Sequence, residues 1–235
     1  MQFPGEVVLA STWNLAIAEK MGGCIADEAL VYDVIGWYGP GANIHRSAFG
    51  GRNFEYYSED PLLSGKMAAS EIAVAQEKGI VCYLKHFALN EQENHRNDSG
   101  LYTWCDEQTI REIYLTPFEI GVKEGRPTGM MSAFDRIGTT WCGGSDALLN
   151  TVLREEWGFE GVVVSDATHA IFWPYMNQVE GVMSGNDLFL DYGANYDYLM
   201  MRIAAVRNPV EITNALRVAS HNILYSVANS AAMQK

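Results

Sequence analysis

The strongest constraint on the fold is an alternation along the chain. Short runs of branched and aromatic residues take turns with stretches whose apolar residues recur at helical spacing. IVCYLKHF, GMMSAF, GVVVSDA and NDLFLDY are short, apolar and bounded by turn residues, so each reads as a buried strand. GWYGPGANI, over 36–44, reads as a further strand running into a loop. Helical patterns lie between and around them. Residues 6–34 predict one or two helices, and 61–78 predicts a helix stopped at Gly79. Residues 107–123 start acidic and are followed by Gly125 and Pro127, which mark a helix end. Ser145 suits the N-cap of a helix over 145–157, and 210–227 predicts a long final helix. Such alternation implies parallel strands with helices packed outside. About five strands are visible, where a closed (β/α) barrel has eight. The expected fold class is therefore α/β, an incomplete (β/α) barrel lacking its first strands. No linker or repeat divides the chain, so it is read as one domain over 1–235.

Composition narrows the partners. Hydrophobic residues make up 48% of 235, enough for a real core. The 16 basic and 29 acidic side chains give a net charge of -13, which repels phosphate backbones and argues against nucleic acid. No run of about 18 apolar residues is present, so no membrane span is expected. The start, MQFPGEVVLAS, has no basic segment leading into an apolar one. Cys24, Cys82, Cys105 and Cys142 form no CxxC pair and are expected as free thiols in a reducing compartment, taken here as the cytoplasm. No cofactor is expected.

Polar residues sit where each strand stops, which is where parallel α/β folds place their sites. Asp166 is the sharpest case, because Val162, Val163 and Val164 put it on a buried, rigid element. Its alternative role is the N-cap of the next helix. KHFALNEQENHR, over 85–96, carries two histidines nine apart with Glu91 and Glu93 between them. Zinc hydrolases favour histidines four apart, so no metal is expected. Lys85, His86 and Arg96 instead suit hydrogen-bond donors around a polyhydroxylated or anionic ligand. Alternatively they form a charged loop paired internally with Glu91 and Glu93. Gly50 and Gly51 allow close backbone approach and would deliver Arg52 into the same site. Alternatively Arg52 belongs to a tight turn and pairs with Glu55 or Glu59.

These segments together resemble glycoside hydrolase family 3, the family of many β-glucosidases. The likeness runs in order from near residue 3 to the end of the chain. NIHRSAFGGRNFEYYSEDP resembles the segment carrying a substrate-binding arginine, here Arg52. KHFALNEQENHR resembles the Lys-His segment, here Lys85 and His86 with Arg96 downstream. LREEWGFEGVVVSDA resembles the nucleophile segment and implies Asp166 as the catalytic aspartate. The resemblance implies the TIM-type barrel domain of a retaining, exo-acting enzyme on β-linked sugars. Its substrate is then a small carbohydrate, a β-glucoside or similar. Retaining chemistry needs two carboxyl groups about 5–5.5 Å apart, one ionised nucleophile and one acid/base. The cationic neighbours are expected to keep Asp166 ionised.

Four departures accompany the likeness. The family's Asp-Gly-Pro-like segment has no equivalent here. The acid/base glutamate usually belongs to an α/β-sandwich domain, also without an equivalent. Ala167 stands where many members have tryptophan, and Phe134, in the sugar-binding region, stands where tyrosine is common. One branch of the family uses a second histidine in a KHFPGHG-like loop, which KHFALNEQ lacks. His169 is the remaining histidine near Asp166 and reads as a surface or helix-start residue. Trp37, Trp104 and Trp173 are candidates for sugar-stacking faces or for core packing, and Asp187 for the sugar site or a structural role. Two further readings stay open. One is a sugar-binding or scaffolding chain without turnover, completed by the sandwich domain or another chain. The other, a metal-dependent hydrolase using His86 and His95, is remote. Unpaired barrel edges are expected to favour self-association or docking with that missing domain.

Overall fold

Asn14 and Asp60 start the long helices of the first third of the chain. The structure is a computed structural model that describes residues 2–98, 101–169 and 171–233. A short helix α1 (Glu6–Ala10) precedes α2 (Leu15–Val31), whose first turn is capped by Asn14 accepting the Ala16 N–H at 3.0 Å. Asp60 caps α3 (Pro61–Glu77) through the Leu63 N–H at 2.9 Å, and Pro61 has no N–H to leave unpaired there. Ser64, Ala68, Glu71, Ile72 and Ala75 form the buried stripe of α3. Gly79 ends the turn after α3 with φ +84°, and a side chain there would meet the Ala231 backbone at 2.6 Å. Only glycine suits both demands. The Ala231 N–H binds Gly79 O at 2.8 Å, which docks the end of the described chain beside the entry to the second strand.

The strands come in chain order as β1 (Gly36–Trp37), β2 (Val81–Phe87) and β3 (Gly129–Ser132). A small antiparallel hairpin follows, β4 (Arg136–Ile137) with β5 (Thr140–Trp141), and then β6 (Val162–Thr168) and β7 (Leu188–Asp191). β1, β2, β3, β6 and β7 make one parallel sheet in that order. The helical segments α3, α4 (107–125), α5 (Ala147–Glu156) and α6 (Gln178–Met183) connect successive strands. This is the expected (β/α) barrel, built to 5 strands. Among the described residues neither β1 nor β7 has an outer partner strand. Phe87 of β2, Phe118 of α4 and Trp157 after α5 meet in the core, with ring centroids 5.3 and 5.6 Å from Phe87. Among the described residues no helix is long and apolar enough to cross a membrane. None of the cysteines is paired; Cys82 and Cys142 are buried and Cys24 is exposed.

Several expectations change in detail. Ser145 does cap, its Oγ accepting the Leu148 N–H at 3.3 Å, although α5 itself spans Ala147–Glu156. The first strand covers only Gly36–Trp37, because Pro40 cannot donate to a continued ladder. The hairpin, α6 and α7 (Ala194–Arg207) go unseen in the sequence: the hairpin strands are too short to show a period, and α7 has no clear apolar stripe. The last helix, α8, spans Pro209–Ala228. Asp187 has a structural role. It accepts from Val163 N at 2.7 Å, Arg154 Nη2 at 2.8 Å and Asn222 Nδ2 at 2.9 Å, tying α5 and α8 to the start of β6.

Buried acids make stability depend on pH. Tyr57 Oη donates to the buried Glu71 at 2.7 Å, yet burial pushes that carboxyl up to about 8. Burial also pushes Asp187 up to about 6. The folded chain thus keeps protons that unfolded carboxyls release near pH 4–4.5. Stability from these groups is full below that range and is lost as pH rises through about 6 and then about 8. Tm is expected to fall from pH 5 to pH 8, and Glu71→Gln to flatten part of the fall. A Tm that rises across this window would contradict the buried placement.

Candidate active site

β2 and β3 stop at one level and β6 runs past it to Thr168, because their register holds Phe87 level with Ser132 and Ser132 level with Ser165. Residues just beyond those levels therefore face one region. Asp166 lies inside β6 and does not open a helix. Its Oδ1 accepts the adjacent Ala167 N–H at 2.7 Å, while α6 is capped by Asn177 through Val179 and Glu180. The helix-cap reading of Asp166 is thereby replaced by a carboxylate aimed from a strand end.

Arg96 holds that carboxylate. Its Nη2 donates to Asp166 Oδ2 at 2.8 Å, and its Nη1 reaches both Glu93 oxygens at 3.2 Å. The guanidinium lies over the Phe134 ring, 4.2 Å from the centroid. Phe134 is 2% exposed, so its ring carries Arg96 and offers little surface to a ligand.

His86 is the buried centre of a directed chain. Arg52 Nη2 lies 3.0 Å from its Nε2, and an arginine can only donate, so Nε2 accepts. The proton then sits on Nδ1 and is donated to Tyr56 Oη at 3.2 Å, while the Tyr56 hydroxyl donates onward to Asn90 O at 3.4 Å. Burial, and then the charges of Arg52, Lys85 and Arg96, hold the imidazole well below its usual pKa, so it stays neutral. His86 Nε2 is 3.9 Å from Asp166 Oδ2, two acceptors facing each other without a bond. Asn43 fixes the His86 backbone in both directions, at 2.8 and 3.0 Å.

Glu55 organises the other two cations. It accepts from Arg52 Nε at 2.7 Å and pairs with Lys85 Nζ at 2.7 Å. Burial works against this carboxylate, but the bonds from Arg52 and Lys85 prevail and hold it below its ordinary range. The expected alternative for Arg52, pairing with Glu55, therefore coexists with its place in the site. The alternative for the 85–96 loop holds for Glu93 only. Glu91 accepts instead from Asn43 Nδ2 and Ile44 N, and burial pushes it up to about 7.

The remaining candidates lie outside this cluster. His95 is exposed and sits 3.0 Å from Asp98, away from the buried His86. Among the described residues no group of three His, Cys, Asp or Glu side chains could hold a metal ion. His169 Nδ1 accepts the N–H groups of Ile171 and Phe172, which makes it a turn-forming residue. Trp173 packs edge-on to Phe134 at 4.8 Å and donates to Asn97 O at 3.3 Å, joining two strand-end loops. Trp104 is exposed and Trp37 packs on the core. Sequence reasoning left out Asn43, Tyr56 and Asp135, and saw Glu55 only as a turn partner. Asp135, in SAFDR, was visible as a strand-end acid.

A fold of this kind, with a strand-end carboxylate ringed by cationic donors, suits a glycosidase. The chain matches the glycosyl hydrolase family 3 N terminal domain over residues 1–222 and belongs to that family. It is 42% identical over 191 residues to β-glucosidase A of Butyrivibrio fibrisolvens, covering 81% of this chain and 22% of that one. It is likewise 42% identical over 187 residues to thermostable β-glucosidase B of Acetivibrio thermocellus, covering 79% of this chain and 24% of that one. The chain thus spans about a quarter of these curated relatives. The structure of β-glucosidase 3B from Thermotoga neapolitana in complex with glucose superposes with a TM-score of 0.89 at 39% identity, over 99% of this chain and 32% of that one.

The neutral His86 is open to direct measurement. Its ring nitrogens, followed by NMR, are expected to show the Nδ1–H form without change from pH 5.5 to 8. Titration of His86 near its usual pKa of about 6.5 would contradict the buried, arginine-capped placement.

Proposed function

We propose that this chain supplies the nucleophile half of a retaining, exo-acting β-glycosidase site, with a β-glucoside as the substrate class. Asp166 attacks the anomeric carbon, the glycosidic oxygen leaves with a proton from an acid, and water then releases the sugar from the Asp166 ester. Arg52, Lys85 and Arg96 bind and orient the sugar hydroxyls, while His86, whose two ring nitrogens are spent on Arg52 and Tyr56, holds Arg52 in place, and Lys85 keeps N–H donors beyond the one spent on Glu55. One observation carries the reading: an Asp166 carboxylate at a strand end, held 2.8 Å from Arg96 among buried, fixed donors.

The chain is read as a single barrel domain over 1–235 that works with an α/β-sandwich domain bearing the acid/base. The open edges of β1 and β7 support docking with further strands or with a second copy, which light scattering reads directly. A second reading, binding without turnover, is favoured by charge balance. Glu55 already pairs Arg52 and Lys85, and Glu93 and Asp166 already pair Arg96, so three carboxylates match the three cations before any sugar arrives.

A leaving group that needs no proton separates the two readings. With 2,4-dinitrophenyl β-glucoside the chain is expected to release a burst of one dinitrophenolate per site. Asp166→Gly should abolish the burst, and azide should restore release by taking the place of the missing carboxylate. A folded chain with no burst, and no azide effect in the variant, would support binding without turnover.

A further inference from the structure

An arginine and a carboxylate often meet as two forks, joined by two parallel N–H···O bonds. Arg96 and Asp166 meet differently. Arg96 reaches Asp166 through one bond, from Nη2 to Oδ2 at 2.8 Å. Its Nη1 is turned to Glu93 and bonds both oxygens of that side chain at 3.2 Å. One guanidinium is thus divided between two carboxylates. The other oxygen of Asp166, Oδ1, accepts the adjacent Ala167 N–H at 2.7 Å.

Several contacts hold Glu93 in that place. The Arg96 N–H donates to Glu93 O at 3.2 Å, closing a turn that brings the two side chains together. Arg52 Nη1 lies 3.7 Å from Glu93 Oε1, so Glu93 bridges two guanidinium groups that would otherwise repel. Gly51 leaves the room that Glu93 uses, since a side chain there would come within 3.3 Å of Glu93 Cβ and Cγ. The Phe134 ring lies under the Arg96 guanidinium, 4.2 Å from ring centroid to Cζ. Packing on that face leaves the guanidinium to swing in its own plane, between Glu93 and Asp166.

We propose that Glu93 is a positioning residue that keeps Arg96 from closing on Asp166 as a fork. While Glu93 holds Nη1, Asp166 is aimed by a single bond from Arg96 and keeps lone pairs for attack. Without the Glu93 charge, Nη1 turns to Asp166, the other carboxylate bonded to that guanidinium. A second charge-assisted bond then stabilises the resting carboxylate more than the transition state, in which its charge is passing to the sugar. The nucleophile is better held and less reactive. The rate effect rests on the nucleophile reading of Asp166, while the division of Arg96 between two carboxylates does not.

The test compares the wild type with Glu93→Gln, which keeps the size and removes the charge, and with Glu93→Asp, which keeps the charge on a shorter arm. NMR of 15N-labelled arginine and 13C-labelled aspartate carboxyls, assigned with Arg96→Lys and Asp166→Asn, reads the geometry. In Glu93→Gln the Arg96 Nη and Asp166 carboxyl signals are expected to shift together, and in Glu93→Asp to shift less. Labelling of Asp166 by 2,4-dinitrophenyl 2-deoxy-2-fluoro-β-glucoside reads reactivity, with its limiting rate and half-saturating concentration measured separately. Glu93→Gln is expected to lower the limiting rate about tenfold, as one further charge-assisted bond to the nucleophile would, and to leave the half-saturating concentration unchanged. Glu93→Asp is expected to recover part of the rate. Arg96 and Asp166 signals that ignore Glu93→Gln, or a loss that falls on both constants alike, would overturn the proposal. Shifted signals with no labelling in any of the proteins would uphold the division of Arg96 and sink the nucleophile reading instead. Should Glu93→Gln fail to fold, the same two readouts in Glu93→Asp decide the matter, with smaller effects of the same sign.

Discussion

The parallel register of β2, β3 and β6 is the constraint on which the site depends. With Phe87, Ser132 and Ser165 level, β2 and β3 end where β6 carries Asp166, and the residues just beyond that level come together. A one-residue slip would turn Asp166 to the opposite face of the sheet and bury or expose the wrong set of side chains. The helices secure that register from outside. Phe87, Phe118 and Trp157 lock β2 to α4 and to the turn after α5, and Asp187 ties β6 to α5 and α8 at the opposite end of the strands.

Electrostatics then decide what the edge can do. The chain carries a net charge of -13, yet its strand ends gather Arg52, Lys85 and Arg96 in one place. They are tolerated there because Glu55, Glu93 and Asp166 neutralise them at short range, and charged groups this far from water need such partners. His86 is kept neutral by burial first and then by the same cations, so it serves as an acceptor for Arg52 and a donor to Tyr56 and takes no part as a cation. The result is a carboxylate whose nearest charged partner is one arginine, an arrangement suited to a nucleophile that must be ionised and aimed.

Much of this is legible in the sequence, for physical reasons that differ by residue. Asp166 stands out because three valines precede it, and a carboxyl on a buried strand must have a use. Lys85, His86 and Arg96 stand out because donors cluster at a strand end. The partners of those donors are not legible. Glu55 and Glu93 lie in loops, and only the folded backbone says that Glu93 meets Arg96 while Glu91 turns to Asn43. Phe134 reads as a site residue from its position, whereas its ring is buried under Arg96. The hairpin of β4 and β5 is invisible because two-residue strands show no period.

The central claim is that this chain alone assembles a working nucleophile at Asp166. Intact mass after incubation with a 2-deoxy-2-fluoro-β-glucoside bearing a dinitrophenolate leaving group tests it most directly, since fluorine slows breakdown of the ester. The account predicts one fluoroglucosyl adduct per chain, with peptide mapping placing it on Asp166. A folded chain that stays unmodified, or an adduct on any other carboxyl, would contradict it.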